Sequence, residues 1–189
     1  MKRRLLVAAA LVVLVGVATF VPGNGRSVAA WEREGALLAG SWYWQTWLPV
    51  APGQQVPLPA LVTYQQDGTV TVADGLMFGG IPSNPFRYTP PHGVWERDGR
   101  HGFRGTALFL RFDAATGTLV AIGRSRSHFD FGPDFNHING TVDLDLLPCG
   151  TPVTCPDPVS AAPEQWLPFG PISQYSFTAT RMHVVRTGQ

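Results

Sequence analysis

Two dipeptides, Asp67-Gly68 and Asp98-Gly99, stand between stretches of alternating polar and apolar residues, and nothing else in the chain restricts it so narrowly to antiparallel sheet. Asp-Gly is a preferred two-residue hairpin loop because both central positions take positive φ, which aspartate tolerates and glycine adopts freely. On this reading Asp67-Gly68 joins a strand ending at Gln66 to one opening at Thr69, and Asp98-Gly99 repeats the device after Trp95. Ala115-Thr116-Gly117 and Gly132-Pro133-Asp134 mark two further reversals. Period-two patterning between the turns predicts eight strands, at about 41–49, 60–66, 69–73, 93–97, 101–113, 118–130, 135–147 and 174–186. Long twisted neighbours joined by tight turns curl into a closed barrel, which has no open edge. The expected fold is all-β, an eight-stranded antiparallel up-and-down barrel. A short helical turn within 31–39, carrying Trp31, Leu37 and Leu38, closes one end.

Ahead of the strands, Lys2, Arg3 and Arg4 precede a hydrophobic run of sixteen residues, Leu5 to Phe20. That is shorter than the roughly 20 apolar residues of a membrane-spanning helix, and Pro22-Gly23 and the small residues Ser27 to Ala30 follow it. Residues 1–30 read as an export signal, with an uncleaved N-terminal anchor as the alternative. Arg3-Arg4 fits the twin-arginine pattern only in part, and the absence of a cysteine after the run excludes a lipid anchor. The remaining 159 residues, 31–189, suit a single domain that is secreted or extracytoplasmic, or held to a membrane by residues 5–20 alone.

Without residues 1–30, ten of the fourteen cations stand beside all thirteen acids, a formal charge of −3. No basic patch survives, which argues against nucleic acid as a partner. Cys149 and Cys155 lie six apart in a proline-rich loop. In an exported chain they are expected to close that loop as a disulfide worth about 2 kcal/mol in the chain-entropy model.

Counting register outward from the turns sorts the side chains. An even reversal near 130–135 sets Ser127 against Ile138, Ser125 against Gly140, Gly123 against Val142 and Ala121 against Leu144, a small and apolar inner face. The outer face then pairs His128 with His137, beside Asp130 and Arg126. Two histidines and a carboxylate are a candidate metal set, but they sit on the solvent face with an arginine opposing a cation, so no metal is expected there. A four-residue loop after Asp113 puts Arg104, Thr106, Leu108, Leu110 and Phe112 inward on the preceding strand. Small residues facing large ones leave room for a cavity, unless Trp42, Trp44, Trp95 and Tyr64 fill it. An inward Arg104 would need an anionic or carbonyl partner, because a buried unpaired guanidinium is costly.

The segment Leu38-Ala39-Gly40-Ser41-Trp42 resembles the Gly-x-Trp motif that opens the first strand of lipocalins and other calycins. Arg181, after Phe177, is placed like the arginine of their last strand. The resemblance implies a calycin-like barrel in which Arg181 stacks on Trp42 at the closed end. A second pattern, His92-Gly93-Val94-Trp95, then Thr106, Phe109, Phe112-Asp113 and Gly117, is similar to that of a group of uncharacterised secreted bacterial proteins carrying HGxW…T…F…FD…G. That group implies a lipocalin-like barrel and no activity. The chain departs from better-understood calycins in lacking their middle motif.

No nucleophile elbow, phosphate loop, dinucleotide fingerprint or zinc helix motif is present, so no catalytic residue and no cofactor is expected. The reading is an exported protein binding a small apolar molecule, with Trp44, Trp95, Arg104, Thr106, Ser125 and Ser127 lining the site. An isomerase or cyclase on the same barrel, using Arg104 as electrostatic stabiliser, is one alternative. A filled barrel that presents its outer strands or the Phe78 loop to a protein partner is another. The eighteen-residue stretch 74–91 is expected either to cap a ligand cavity or simply to close the barrel mouth, and the loop 148–173 to run over the surface. Nothing in the residues speaks to oligomeric state.

Overall fold

Asp67 turns the chain back with its side chain. Its Oδ1 accepts the N–H and the hydroxyl of Thr69, at 2.9 and 2.7 Å, and Gly68 alone in this turn takes positive φ, 87°. Gly68 donates its N–H to the Gln65 carbonyl, so Tyr64 faces Val70 and the strand ends at Tyr64. This corrects the expected two-residue loop and moves the hairpin register by one residue. Asp113 works in the same way after the next long strand, where its Oδ1 takes the N–H groups of Ala115 and Thr116 and the Thr116 hydroxyl.

The computed structural model describes residues 36–51, 54–78, 84–99, 102–150, 154–170 and 173–183. The expected export segment, Trp31 and the last residues of the final predicted strand lie outside them. Among the described residues ten strands are present: β1 (Gly40–Ala51), β2 (Gln54–Tyr64), β3 (Thr69–Asp74), β4 (Phe86–Tyr88), β5 (His92–Asp98), β6 (Gly102–Asp113), β7 (Leu119–Phe131), β8 (His137–Pro148), β9 (Leu167–Pro168) and β10 (Gln174–Arg181). Eight of them, β1, β2, β3, β5, β6, β7, β8 and β10, form an antiparallel ring, and β10 closes it by pairing with both β8 and β1. Short β4 and β9 extend two of these staves: β4 continues beside β6 where β5 stops, and β9 lies beside β8 beyond β10. The fold is the expected up-and-down barrel, with one helical turn at residues 36–38.

Three elements were not visible as strand: the first half of β2, β4 and the two-residue β9. The first half of β2 contains Pro57 and Pro59, which count against strand because they lack an N–H. That half pairs with β1 alone, since β3 joins only from Ala60 onward, so only every second residue needs a backbone donor. Strand β4 has three residues and is interrupted from β5 by Thr89-Pro90-Pro91, too short for a period to show.

At the closed end, Trp42 is 0% exposed and donates its indole N–H to the Leu38 carbonyl at 2.9 Å. The Arg181 guanidinium sits 4.3 Å above the Trp42 ring and donates to the carbonyls of Ala39, at 3.0 Å, and Leu37. Together they tie the helical turn to the barrel floor. Above the floor lie Phe103, Phe129, Phe131 and Ile138. A second, smaller core forms on the outside. Cys149 and Cys155 are disulfide-bonded, and the strap they clip brings Trp166 down onto Ile122 and Leu147, with Arg124 stacked 3.9 Å above the Trp166 ring. The loop 148–173 thus covers outer apolar surface as well as running over it.

Candidate functional site

One residue in β7 decides which side chains of β6 enter the barrel. Phe112 faces Leu119, but Arg111 faces Ala121, which leaves Val120 unpaired in a bulge. Below the bulge every β6 side chain takes the face opposite to the one counted from the turn, because strand side chains alternate with period two. Phe103, Gly105, Ala107 and Phe109 are buried, whereas Arg104 and Thr106 are exposed. The inward placement of Arg104 is therefore corrected. Its side chain is 60% exposed and its Nε donates to Glu96 Oε1 at 2.7 Å on the outer wall.

The β7–β8 reversal is even, as expected, but centred two residues later, so Ser127 faces Val142 and Ser125 faces Leu144. The parity, and with it the inward face of both serines, is retained. The pairing of His128 with His137 is not: His128 faces Thr141, and His137 faces Thr180 and meets Asp134 at 2.7 Å.

These registers bring four small residues together as cross-strand pairs, Gly105 with Ser127 and Ala107 with Ser125. Opposite them stand Trp44, Ala60, Val62 and Tyr64. The space between is a cavity of about 60 Å³. It survives in this layer because the glycines next to it are already used: a Cβ at Gly123 would fall 2.0 Å from the Phe109 ring, and one at Gly140 2.5 Å from Phe129 Cβ. Phe109 and Phe129 occupy those sites, and nothing comparable fills the space beside Ala107 and Ser125. The cavity reaches the end of the barrel away from Trp42, where Asp74, Leu76, Tyr88, Phe169 and Tyr175 surround it.

The walls are apolar with a few polar groups. Among the described residues the hydroxyls of Ser125, Ser127 and Tyr64 have no hydrogen-bond partner, and the buried Trp44 Nε1 has none either. Burial pushes the Tyr64 phenol well above its ordinary pKa. At the mouth, Asp74 Oδ1 accepts the N–H groups of Leu76 and Met77, at 2.9 and 3.3 Å, and so starts the 3-10 turn Gly75–Phe78. Burial nonetheless raises its carboxyl pKa, and burial, then the nearby Asp74 charge, raises that of Tyr175.

A raised native pKa means that the folded state holds the Asp74 proton more tightly than the unfolded chain, so its contribution to stability is full at low pH and is lost as pH rises through the folded value. Asparagine keeps the Oδ1 acceptor and carries no charge. Asp74→Asn is therefore expected to stabilise the protein at pH 7, with the gain shrinking toward pH 4. Urea midpoints measured across that range would show it, and a gain that grows on acidification contradicts it.

Of the six residues expected at the site, Trp44, Ser125 and Ser127 line the cavity, and Thr106 borders it although it is exposed on the outer side. Trp95 is buried below it, donating its indole N–H to the carbonyls of Gln65 and Thr69, both at 3.1 Å, and packing edge-on against Tyr64 and Phe103. Arg104 lies outside. Sequence reasoning missed Gly105, Ala107, Asp74, Tyr88, Phe169 and Tyr175. The first two were hidden by the bulge, and the last four come from segments read as loop or from a strand whose faces were not assigned. Comparison of the chain with protein-family models, with curated proteins and with solved structures finds no match.

Proposed function

We propose that this protein is an exported, calycin-type binding protein that holds a small, mainly apolar molecule inside its barrel. The observation that carries the reading is the cavity beside Gly105, Ala107, Ser125 and Ser127, whose apolar walls hold hydroxyl groups with no partner among the described residues. Ligand sites have this make-up: mostly apolar lining, with a small number of polar groups that fix orientation. A volume of about 60 Å³ suits a slender, short-chain group. The Cys149–Cys155 disulfide supports an oxidising, extracytoplasmic setting, with residues 1–30 as export signal or anchor. Among the described residues no helix is long and apolar enough to cross a membrane.

The enzymatic alternative loses its proposed stabiliser, since Arg104 is paired with Glu96 on the outside. Native mass spectrometry of protein purified from its producing cells without detergent tests the reading. The expected result is a population carrying a small-molecule adduct that Ala107→Phe, which fills the cavity, eliminates while the far-ultraviolet spectrum stays unchanged. A wild-type protein that carries no adduct and takes up no apolar probe would overturn it.

A further inference from the structure

The inward arginine of β6 stands at position 111. Arg111 follows Phe109 on the cavity-facing side of the strand, about 7 Å further toward the mouth. Its Cα partner is Tyr88 on β4, and its guanidinium carbon lies 3.4 Å above the centre of the Phe86 ring and 5.5 Å from that of Phe169. Tyr88, Phe109 and Phe169 line the cavity, so Arg111 begins where the cavity wall ends.

Arg104 holds Glu96, and Arg124 and Arg126 share Asp145, but among the described residues no carboxylate forms an ion pair with Arg111. Its Nε is buried with no hydrogen-bond partner. Burial also lowers its pKa, which marks a cation whose desolvation Tyr88 and the Phe86 and Phe169 rings offset only in part.

Resting on the binding function proposed above, we infer that Arg111 receives the carboxylate of a ligand whose apolar part lies in the cavity. The ligand class is a slender amphiphile with a planar anionic head and a short hydrocarbon tail. A guanidinium stacked on a ring keeps its N–H donors in its own plane, where two of them match the two oxygens of a carboxylate. The neighbouring Phe86 and Phe169 rings exclude water and strengthen that contact. An eight-carbon chain, about 9 Å when extended, fits within the roughly 13 Å that separate Ala107 from Arg111 along β6.

Calorimetric titration of the protein with octanoate and with octanol, which share a tail and differ in the head, tests this. Octanoate is expected to bind at pH 7 at least about ten-fold more tightly than octanol, the scale of one charge-assisted contact. Arg111→Gln is expected to abolish the difference and leave octanol affinity within about two-fold, and Arg111→Lys to restore it only in part. Equal affinity of the wild type for the two compounds would overturn the role of Arg111 and leave the apolar cavity standing. Binding of neither compound would remove both.

Discussion

Gly93→Ala is expected to cost about 3 kcal/mol or more, enough to leave a domain of ordinary stability largely unfolded under mild denaturant. Gly93 faces Ala107 where β5 crosses β6, and a Cβ built on it would fall 1.9 Å from the Thr106 carbonyl oxygen and 2.5 Å from the Ala107 Cα. These are backbone atoms of a central stave. They cannot rotate aside as a side chain would, so relief requires β5 to separate from β6. That separation would also loosen Trp95, which closes the β2–β3 turn through its indole N–H. Gly132→Ala is the control, because its nearest neighbour would be at 3.4 Å, an ordinary contact. Urea denaturation of both variants should show the first midpoint collapse and the second move little. A Gly93→Ala protein as stable as wild type would mean that these strands do not cross as described.

Trp42→Ala is expected to destabilise by about 4 kcal/mol, the middle of the range for removing a fully buried large aromatic side chain. The indole is 0% exposed, and its loss also frees the Leu38 carbonyl and the Arg181 guanidinium. Arg181→Leu alone should cost about 1–2 kcal/mol, since it removes the stack and the bonds to the helical turn but leaves the floor filled. In the double variant the two losses should sum to more than the measured total, because the stack can be lost only once. Strict additivity would show that the 4.3 Å contact carries no energy.

Much of the architecture was legible because it is written in turn residues. Asp67-Gly68, Asp98-Gly99 and Asp113 with Gly117 each stand at a reversal, and alternation between them marks the staves. The pattern from His92 to Gly117 acquires physical content in the same way. Gly93 is a strand crossing, Trp95 a buried clamp, Asp113 a turn cap, and Gly117 a positive-φ residue at 70°. These positions make the fold.

The cavity was legible on one wall only. Ser125 and Ser127 were placed inside by a count that missed the register by four residues, an even number that preserves the face. The β6 wall failed through an odd error: the single unpaired residue Val120 exchanged Arg104 and Thr106 for Gly105 and Ala107, and Leu110 for Arg111. A bulge leaves no mark in residue type at Val120, since valine is an ordinary strand residue. The remaining cavity residues, Tyr88 and Phe169, come from stretches too short or too irregular to show a period.

The account depends on open space enclosed by a complete ring of strands. Methyl-resolved NMR of the protein under xenon pressure measures it directly, since xenon enters apolar cavities. Coincident, saturable shifts are predicted for the methyls of Ala60, Val62, Ala107 and Leu144, which belong to β2, β6 and β8 and meet only around the cavity. Shifts absent from these methyls, or confined to exposed residues such as Val94 and Val159, would contradict the account.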